Sequence, residues 1–316
     1  MRRHGWLLSL LALLAAGCGR RAERTGDAVT LALNWFPEAE HGGYYAALVH
    51  GYYAEEGLDV RILPGGPDAP VTARVATGGA TFGVENADHA VYARAEGADV
   101  VALLAPIQDS PRCLIVHAAS PIRGFEDLRD VTLAMSAKGA FAHFLRARLP
   151  LEGVRVVPYP GSMSLFLRDP NYVQQGYSFS EPFLARRAGV ETRTLMVSDL
   201  GFNTYTSVLL VRGGLRREQP ELVRRFVRAA RRGWEHYLRD PEETNRHIHG
   251  LNPEMDLAVL AFGVEALRPL AWTETARRDG FGAMRLERWS TLVKQMEELG
   301  LVPPGRVRPE ELFAAP

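Results

Sequence analysis

The chain has 316 residues, 47% of them hydrophobic and 23% charged, and its 37 Lys and Arg balance 37 Asp and Glu. That length suffices for two cores, and a net charge of zero leaves no basic face for a nucleic-acid partner. Taken in order, the chain opens with Arg2, Arg3 and His4 ahead of the apolar run Trp6 to Ala16. The run is too short for a stop-transfer helix and reads as a secretory signal over residues 1–17.

The signal ends at Ala15-Ala16-Gly17-Cys18. This run resembles a bacterial lipobox, in which the cysteine receives a diacylglyceryl group and becomes the first residue, although Ala15 stands where a branched residue is usual. Cys18 is therefore the expected lipidation site, and residues 18–27 form a polar spacer that holds the folded part off a membrane. The other reading is an ordinary signal peptide with an incidental cysteine. With Cys18 lipidated, Cys113 has no partner for a disulfide or a cysteine metal site, and within Cys113-Leu-Ile-Val116 it reads as a small buried hydrophobe.

The folded part begins at Ala28. Val29–Leu33 is a strand, Pro37 stops its ladder, Glu38–Gly43 is a loop, and Tyr44–His50 is a helix. Gly51–Gly57 leads to a strand at Leu58–Leu63, a parallel neighbour of the first through a right-handed crossover. Pro64–Pro70 is a rigid turn, Val71–Thr77 a helix closed by Gly78-Gly79, Thr81–Val84 a strand and Ala87–Glu96 a helix. Asp99–Ala105 lacks alternation, which predicts burial on both faces in a parallel sheet. Residues 28–107 thus make the first part of one lobe.

From Cys113 the pattern restarts, and residues 108–206 make a second lobe. Its strands are Cys113–His117, Thr132–Met135, Arg155–Pro158, Tyr172–Ser180 and Thr192–Val197, with helices at Phe141–Leu149 and Pro182–Ala188. Phe202–Val211 is expected to be the strand that carries the chain back to the first lobe. Residues 207–316 complete that lobe with helices at Glu221–Leu238, Pro241–His249, Pro253–Ala266 and Arg285–Leu299. The fold class is α/β, a two-lobed clamshell with a ligand cleft that closes by hinge motion.

No catalytic signature is present: no Gly-x-Ser-x-Gly elbow, no P-loop, no His-Glu-x-x-His and no Gly-x-Gly-x-x-Gly opening a helix. His41 and His89 supply imidazoles without zinc-ligand spacing, so no metal is expected. Binding residues are instead sought at strand ends, where open α/β sheets hold small molecules. Asn34 and Trp35 are either an amide and a stacking platform or a turn beside a core aromatic. Tyr44 and Tyr45 straddle a helix start, so one is expected at the cleft and the other in the core. Glu85 and Asn86 end a strand at the same edge, where Asn86 or Asp88 also suits the N-cap of the following helix. Ser136, Lys138 and Gly139 form either an anion-holding turn or a plain one. Tyr177 and Glu181 are the second lobe's counterpart of the first lobe's strand ends, with Glu181 either accepting bonds from an aminopyrimidine or ammonium group or capping its helix.

Three runs carry a resemblance: Asn34-Trp-Phe-Pro37 with His41-Gly-Gly43, Gly51-Tyr-Tyr-Ala-Glu-Glu-Gly-Leu-Asp-Val60, and Gly176-Tyr-Ser-Phe-Ser-Glu-Pro182. They resemble the periplasmic solute-binding proteins of ABC importers related to thiamine pyrimidine synthase, a superfamily that includes sulfonate, taurine and nitrate binders. The likeness runs from Val29 to the last helices and implies a type II periplasmic-binding-protein clamshell. The second run marks fold. The first is similar to the branch that binds hydroxymethyl- or formylaminomethyl-pyrimidine, and flavin binders look similar there. In the enzyme branch, a consumed histidine falls on His89, but the lysine that carries pyridoxal phosphate falls on Glu85, and a cysteine-rich run falls on Gly201–Thr206, which has no cysteine. Without that lysine no Schiff base forms, so a binder without cofactor is expected.

The resemblance implies a monomeric, exported, lipid-anchored receptor that delivers a small aromatic heterocycle, a pyrimidine precursor of thiamine or a flavin, to an ABC permease and its ATPase. Trp35 would stack on the ring, Asn34, Glu85 and Glu181 would read its edge, and Tyr177 and Tyr205 would cover it from the far lobe. The alternatives are an oxyanion binder of the same fold, for which Lys138 is the one cation the sequence places near the mouth, and an enzyme of pyrimidine synthesis.

Overall fold

A computed structural model describes residues 26–315. The expected signal over 1–17, the lipidation site Cys18 and nearly all of the spacer lie outside the described residues. Among the described residues ten strands are formed: β1 Asp27–Ala32, β2 Leu58–Leu63, β3 Phe82–Glu85, β4 Val100–Leu104, β5 Arg112–His117, β6 Thr132–Ala134, β7 Arg155–Val157, β8 Tyr172–Tyr177, β9 Thr192–Met196 and β10 Val208–Arg212. They build two five-stranded sheets, ordered β2-β1-β3-β10-β4 and β7-β6-β8-β5-β9.

The two sheets repeat one plan. In the first, β1 runs parallel to β2 and β3, and β10 enters antiparallel between β3 and β4. In the second, β6 runs parallel to β7 and β8, and β5 enters antiparallel between β8 and β9. Each inserted strand follows a crossing from the other lobe. Val208 to Val211 of β10 are all buried, as a strand covered by helices on both faces requires.

Two segments cross between the sheets, one after β4 and one before β10. Ile107 and Thr206 form an antiparallel bridge between them, with the Thr206 N–H on the Ile107 carbonyl at 3.1 Å. Asn203 adds two bonds, accepting from the Ser110 N–H at 2.8 Å and donating to Asp109 Oδ1 at 2.8 Å. The expectation of a continuous strand from Phe202 is corrected here: β10 starts at Val208. Ser207, just before it, has φ of 54°, a left-handed conformation that cannot continue a ladder. Apolar composition suggested a strand through 202–207, but the chain must turn there to change sheets.

The longest helix, Pro220–Arg239, carries Pro at its first turn and presents Leu222, Val223, Phe226, Val227, Ala230, Trp234 and Tyr237 to the core. It crosses the helix Gly42–Val49 where two glycines meet. A Cβ on Gly43 would lie 2.0 Å from the Trp234 ring, and one on Gly233 would lie 2.2 Å from the Gly43 carbonyl oxygen. Hydrogen at both positions is what lets the helices approach. The helix expected at Pro253–Ala266 instead spans Leu257–Ala271, because Asp256 caps it by accepting from the Ala258 and Val259 N–H groups. Trp289, Leu292, Val293 and Met296 of the helix Leu286–Glu298 share one buried cluster with Ala102 and Leu210 of the first sheet and Leu114 and Leu133 of the second. That helix therefore packs across the seam between the lobes.

Candidate functional site

Parallel pairing of β1 with β3 sets Leu31 beside Phe82 and Ala32 beside Gly83, so Asn34 and Glu85 emerge at the same sheet edge. The turn after β2 braces the β1 end: the Gly65 N–H donates to the Trp35 carbonyl at 2.9 Å and the Gly66 N–H to the Asn34 carbonyl at 3.3 Å. A Cβ on Gly65 would lie 2.1 Å from the Leu33 carbonyl oxygen, so this close approach requires glycine. The Trp35 ring is half-buried, with the exposed Phe36 ring edge-on at 5.5 Å. A flat aromatic face is thus held at the cleft edge by a fixed backbone.

Behind Trp35, the fully buried His41 places Nε2 at 2.9 Å from Asn34 Oδ1 and 3.1 Å from Glu40 Oε1. Two acceptors around one nitrogen assign the proton to Nε2. His41 Nδ1 and Glu40 Oε2 are buried without a hydrogen-bond partner. Glu38 is 6% exposed and flanks them in the same loop. Burial first, then the charges of Glu40 and Glu181, raises its carboxyl well above the usual carboxylate range.

At the end of β3, Asn86 occupies the N-cap position of the helix Ala87–Ala95, yet its side chain makes no capping bond. The expected capping role is corrected. Asn86 Nδ2 instead donates to the Tyr177 hydroxyl across the cleft at 3.1 Å, and Asn86 Oδ1 is buried without a partner. Glu85 Oε1 accepts from the Asn86 N–H at 3.0 Å and lies 3.1 Å from His89 Nδ1. Burial opposes a charged His89, but Glu85 and Asp88 outweigh it and raise the imidazole's pKa. The His89 side chain is half-exposed, so solvent tempers the effect.

The second lobe contributes Arg112, opposite Tyr177 in the β5–β8 register. Its Nη2 donates to the Tyr177 hydroxyl at 2.8 Å, and its guanidinium lies 4.1 Å from the centre of the Tyr177 ring and 4.7 Å from that of Phe141. Arg112, Tyr177 and Asn86 thus form one chain of contacts joining the lobes. Glu181 Oε2 accepts from the Tyr177 N–H at 2.8 Å and the Ser180 hydroxyl at 2.6 Å, while its Oε1 lies 3.4 Å from the Tyr159 hydroxyl.

Several expectations change. Tyr44 and Tyr45 are both core residues: neither opens onto the cleft, Tyr44 donates to the Ser207 carbonyl at 2.9 Å and packs against Trp234, and Tyr45 packs on His247. The helix turns both rings toward Pro220–Arg239 and Glu242–Leu251 rather than splitting them between core and cleft. Tyr205 does not cover the cleft either. Its ring is buried beneath Arg288 at 4.1 Å, and its hydroxyl accepts from the Arg285 N–H at 3.0 Å. Ser136 spends its hydroxyl within its own turn, accepting from the N–H groups of Lys138 at 3.3 Å and Gly139 at 3.0 Å. Lys138 is exposed and lines an open crevice of about 400 Å³ with Thr72, His89, Tyr92, Glu96 and His143. Arg112 is a further cation between the lobes, beside Tyr177.

Glu38, Glu40, Arg112, Phe141 and Tyr159 escaped the sequence reading. Glu38 and Glu40 sat within the loop already singled out after Pro37, where two acids in three residues were a usable signal. Arg112 enters by β5–β8 register, which the sequence does not state.

Residues 38–244 match the family described as NMT1/THI5 like. A riboflavin-binding protein of Chloroflexus aurantiacus is 28% identical over 89% of this chain and 83% of its own. A 4-amino-5-hydroxymethyl-2-methylpyrimidine phosphate synthase of Legionella pneumophila is 28% identical over 72% of this chain and 74% of its own. A formylaminopyrimidine-binding protein of Halalkalibacterium halodurans is 22% identical over 92% of both chains. Among solved structures, the periplasmic aliphatic sulphonate binding protein of Escherichia coli superposes with a TM-score of 0.66 at 16% identity over 92% of both chains, a likeness of fold.

Proposed function

The chain belongs to the NMT1/THI5-like family, and from that premise we propose that it is the substrate-binding protein of an ABC importer. It captures a small aromatic heterocycle, a pyrimidine precursor of thiamine or a flavin, and delivers it to a permease driven by an ATPase. The observation that carries this reading is the mouth at the ends of β1 and β3: a half-buried Trp35 face on a braced backbone beside buried carboxyl, amide and imidazole groups that lack full complements of partners. Stacking on one aromatic face with a few polar bonds at the ring edge is how such sites hold flat ligands. The binding proteins among the relatives, with riboflavin and formylaminopyrimidine in their names, support the same class.

Binding rather than synthesis is supported by Glu85. Its carboxylate faces His89 and the Asn86 N–H, and offers no amine for a Schiff base. Cys18 lipidation, a periplasmic or cell-surface location and a monomeric state complete the proposal. Ligand class is tested by tryptophan fluorescence titration with 4-amino-5-hydroxymethyl-2-methylpyrimidine, riboflavin and an alkanesulfonate. Quenching by a heterocycle is expected, and quenching by the sulfonate alone overturns the reading. Replacing Cys18 with Ala is expected to release the protein from the membrane fraction, which fractionation and immunoblotting measure.

A further inference from the structure

Glu38 is 6% exposed, and its neighbour Glu40 is 1% exposed with Oε2 buried and unpartnered. Buried carboxyls without donors are costly, so the arrangement is incomplete until something supplies donors. The backbone there is fixed. Asn252 Nδ2 holds the Pro37 carbonyl at 3.0 Å, and the His41 N–H holds that of Glu38 at 3.1 Å. The groups that face the Glu38 carboxyl come from both lobes: Glu40 and the Tyr237 phenol from the first, Glu181 and the Tyr159 phenol from the second. No group of three His, Cys, Asp or Glu among the described residues is placed to hold a metal ion, so the acids are not a metal set.

Resting on the ligand-binding reading above, we infer that Glu38 reads the ligand and that, with Glu40 and Glu181, it selects a heterocycle carrying an amidine edge over a dione edge or an oxyanion. An amidine edge is an amino group beside a ring nitrogen. Desolvation and the two neighbouring acids favour the protonated form of Glu38, in which its carboxyl offers one donor and one acceptor side by side. An amino N–H and the adjacent ring nitrogen match that pair in a cyclic, two-bond contact. The Glu40 Oε2 atom, which has no partner, and Glu181 Oε1, which has only the distant Tyr159 hydroxyl, take the second amino hydrogen and repel carbonyl or sulfonate oxygens. A flavin's dione, with two carbonyls around one N–H, meets the same acids with surplus acceptors.

The test is calorimetric titration of the full chain with 4-amino-5-hydroxymethyl-2-methylpyrimidine, riboflavin and ethanesulfonate. The aminopyrimidine is expected to bind about tenfold or more tightly than riboflavin. Glu38→Leu is expected to weaken it by about tenfold to a hundredfold, and Glu38→Gln, which keeps both a donor and an acceptor, by no more than about threefold. Wild-type affinity is expected to fall as pH rises and Glu38 loses its proton, and the Glu38→Gln profile is expected to be flat. Tighter binding of riboflavin, or unaltered aminopyrimidine binding by Glu38→Leu, overturns the inference while leaving the heterocycle reading in place. Failure of both heterocycles alongside sulfonate binding removes both. Should Glu38→Leu not fold, a Glu38→Gln pH profile equal to wild type overturns the inference.

Discussion

At the ends of β1 and β3 polar side chains are buried and short of partners: Glu40 Oε2, His41 Nδ1 and Asn86 Oδ1 lie beside the buried Glu38 on the cleft side of a dense aromatic core. At the ends of β6 and β8 the equivalent groups largely satisfy one another, with Ser136 bonded to its own turn and Glu181 to Tyr177 and Ser180. Both lobes share one sheet plan, so the contrast lies in the loops. Unsatisfied groups in a rigid frame are where a ligand gains most, because their desolvation cost is met before it arrives. On the proposed reading the first lobe supplies most of the ligand contacts, and the second lobe meets it through Glu181 and the Tyr177 bridge to Asn86 and Arg112.

The strongest blow to that contrast comes from beneath the first lobe's mouth. Trp234→Ala removes a fully buried indole where two helices cross at Gly43 and Gly233, and is expected to destabilise the fold by about 3–5 kcal/mol in chemical denaturation. Trp35→Ala tests the mouth itself. It is expected to cost about 1–3 kcal/mol of heterocycle affinity in equilibrium titration, with little change in the denaturation midpoint, because the ring is only half-buried. A loss of stability without a loss of affinity would make Trp35 a structural residue.

Glu85→Gln sharpens the contrast electrostatically. The raised His89 pKa is expected to fall by about one unit in an NMR titration once the neighbouring carboxylate loses its charge. The sign for stability follows: the folded-state value lies above the ordinary 6.5, so the His89–Glu85 contribution is full below that pH and is lost as pH rises through the raised value. Glu85→Gln should flatten that decline in denaturation midpoints measured against pH. The smallest effect belongs to the second lobe. Ser136→Ala is expected to cost about 0.5–1 kcal/mol of stability, with heterocycle affinity within about twofold of wild type. A large loss of affinity would return Ser136 to the site and erase the difference between the lobes.

Much of this architecture was legible from pattern. The apolar run of β4 was legible as a strand, but not its pairing: it lies at the sheet edge antiparallel to β10 rather than in a parallel ladder, because the returning strand inserts beside it. Pro220 at a helix start marked the beginning of the helix Pro220–Arg239, because local propensity and burial agree there. Asn34, Trp35, Glu85, Tyr177 and Glu181 were legible as strand-end residues for the same reason. Tyr44 and Tyr205 were misplaced because a tyrosine near a mouth looks alike whether its hydroxyl faces a ligand or, as here, a carbonyl of Ser207 or the N–H of Arg285. Asn86 looked like a cap because its position is one, and only the geometry across the cleft turns its amide to Tyr177.

The sequence by itself determined the two-lobed α/β class and the loop on which the ligand face is built, since periodicity, proline and glycine act locally. Tertiary structure decided which side chains act on one another: Arg112 beside Tyr177 through strand register, and Glu38 within electrostatic reach of Glu181 of the other lobe. Those encounters join residues far apart in the chain, and no local preference encodes them.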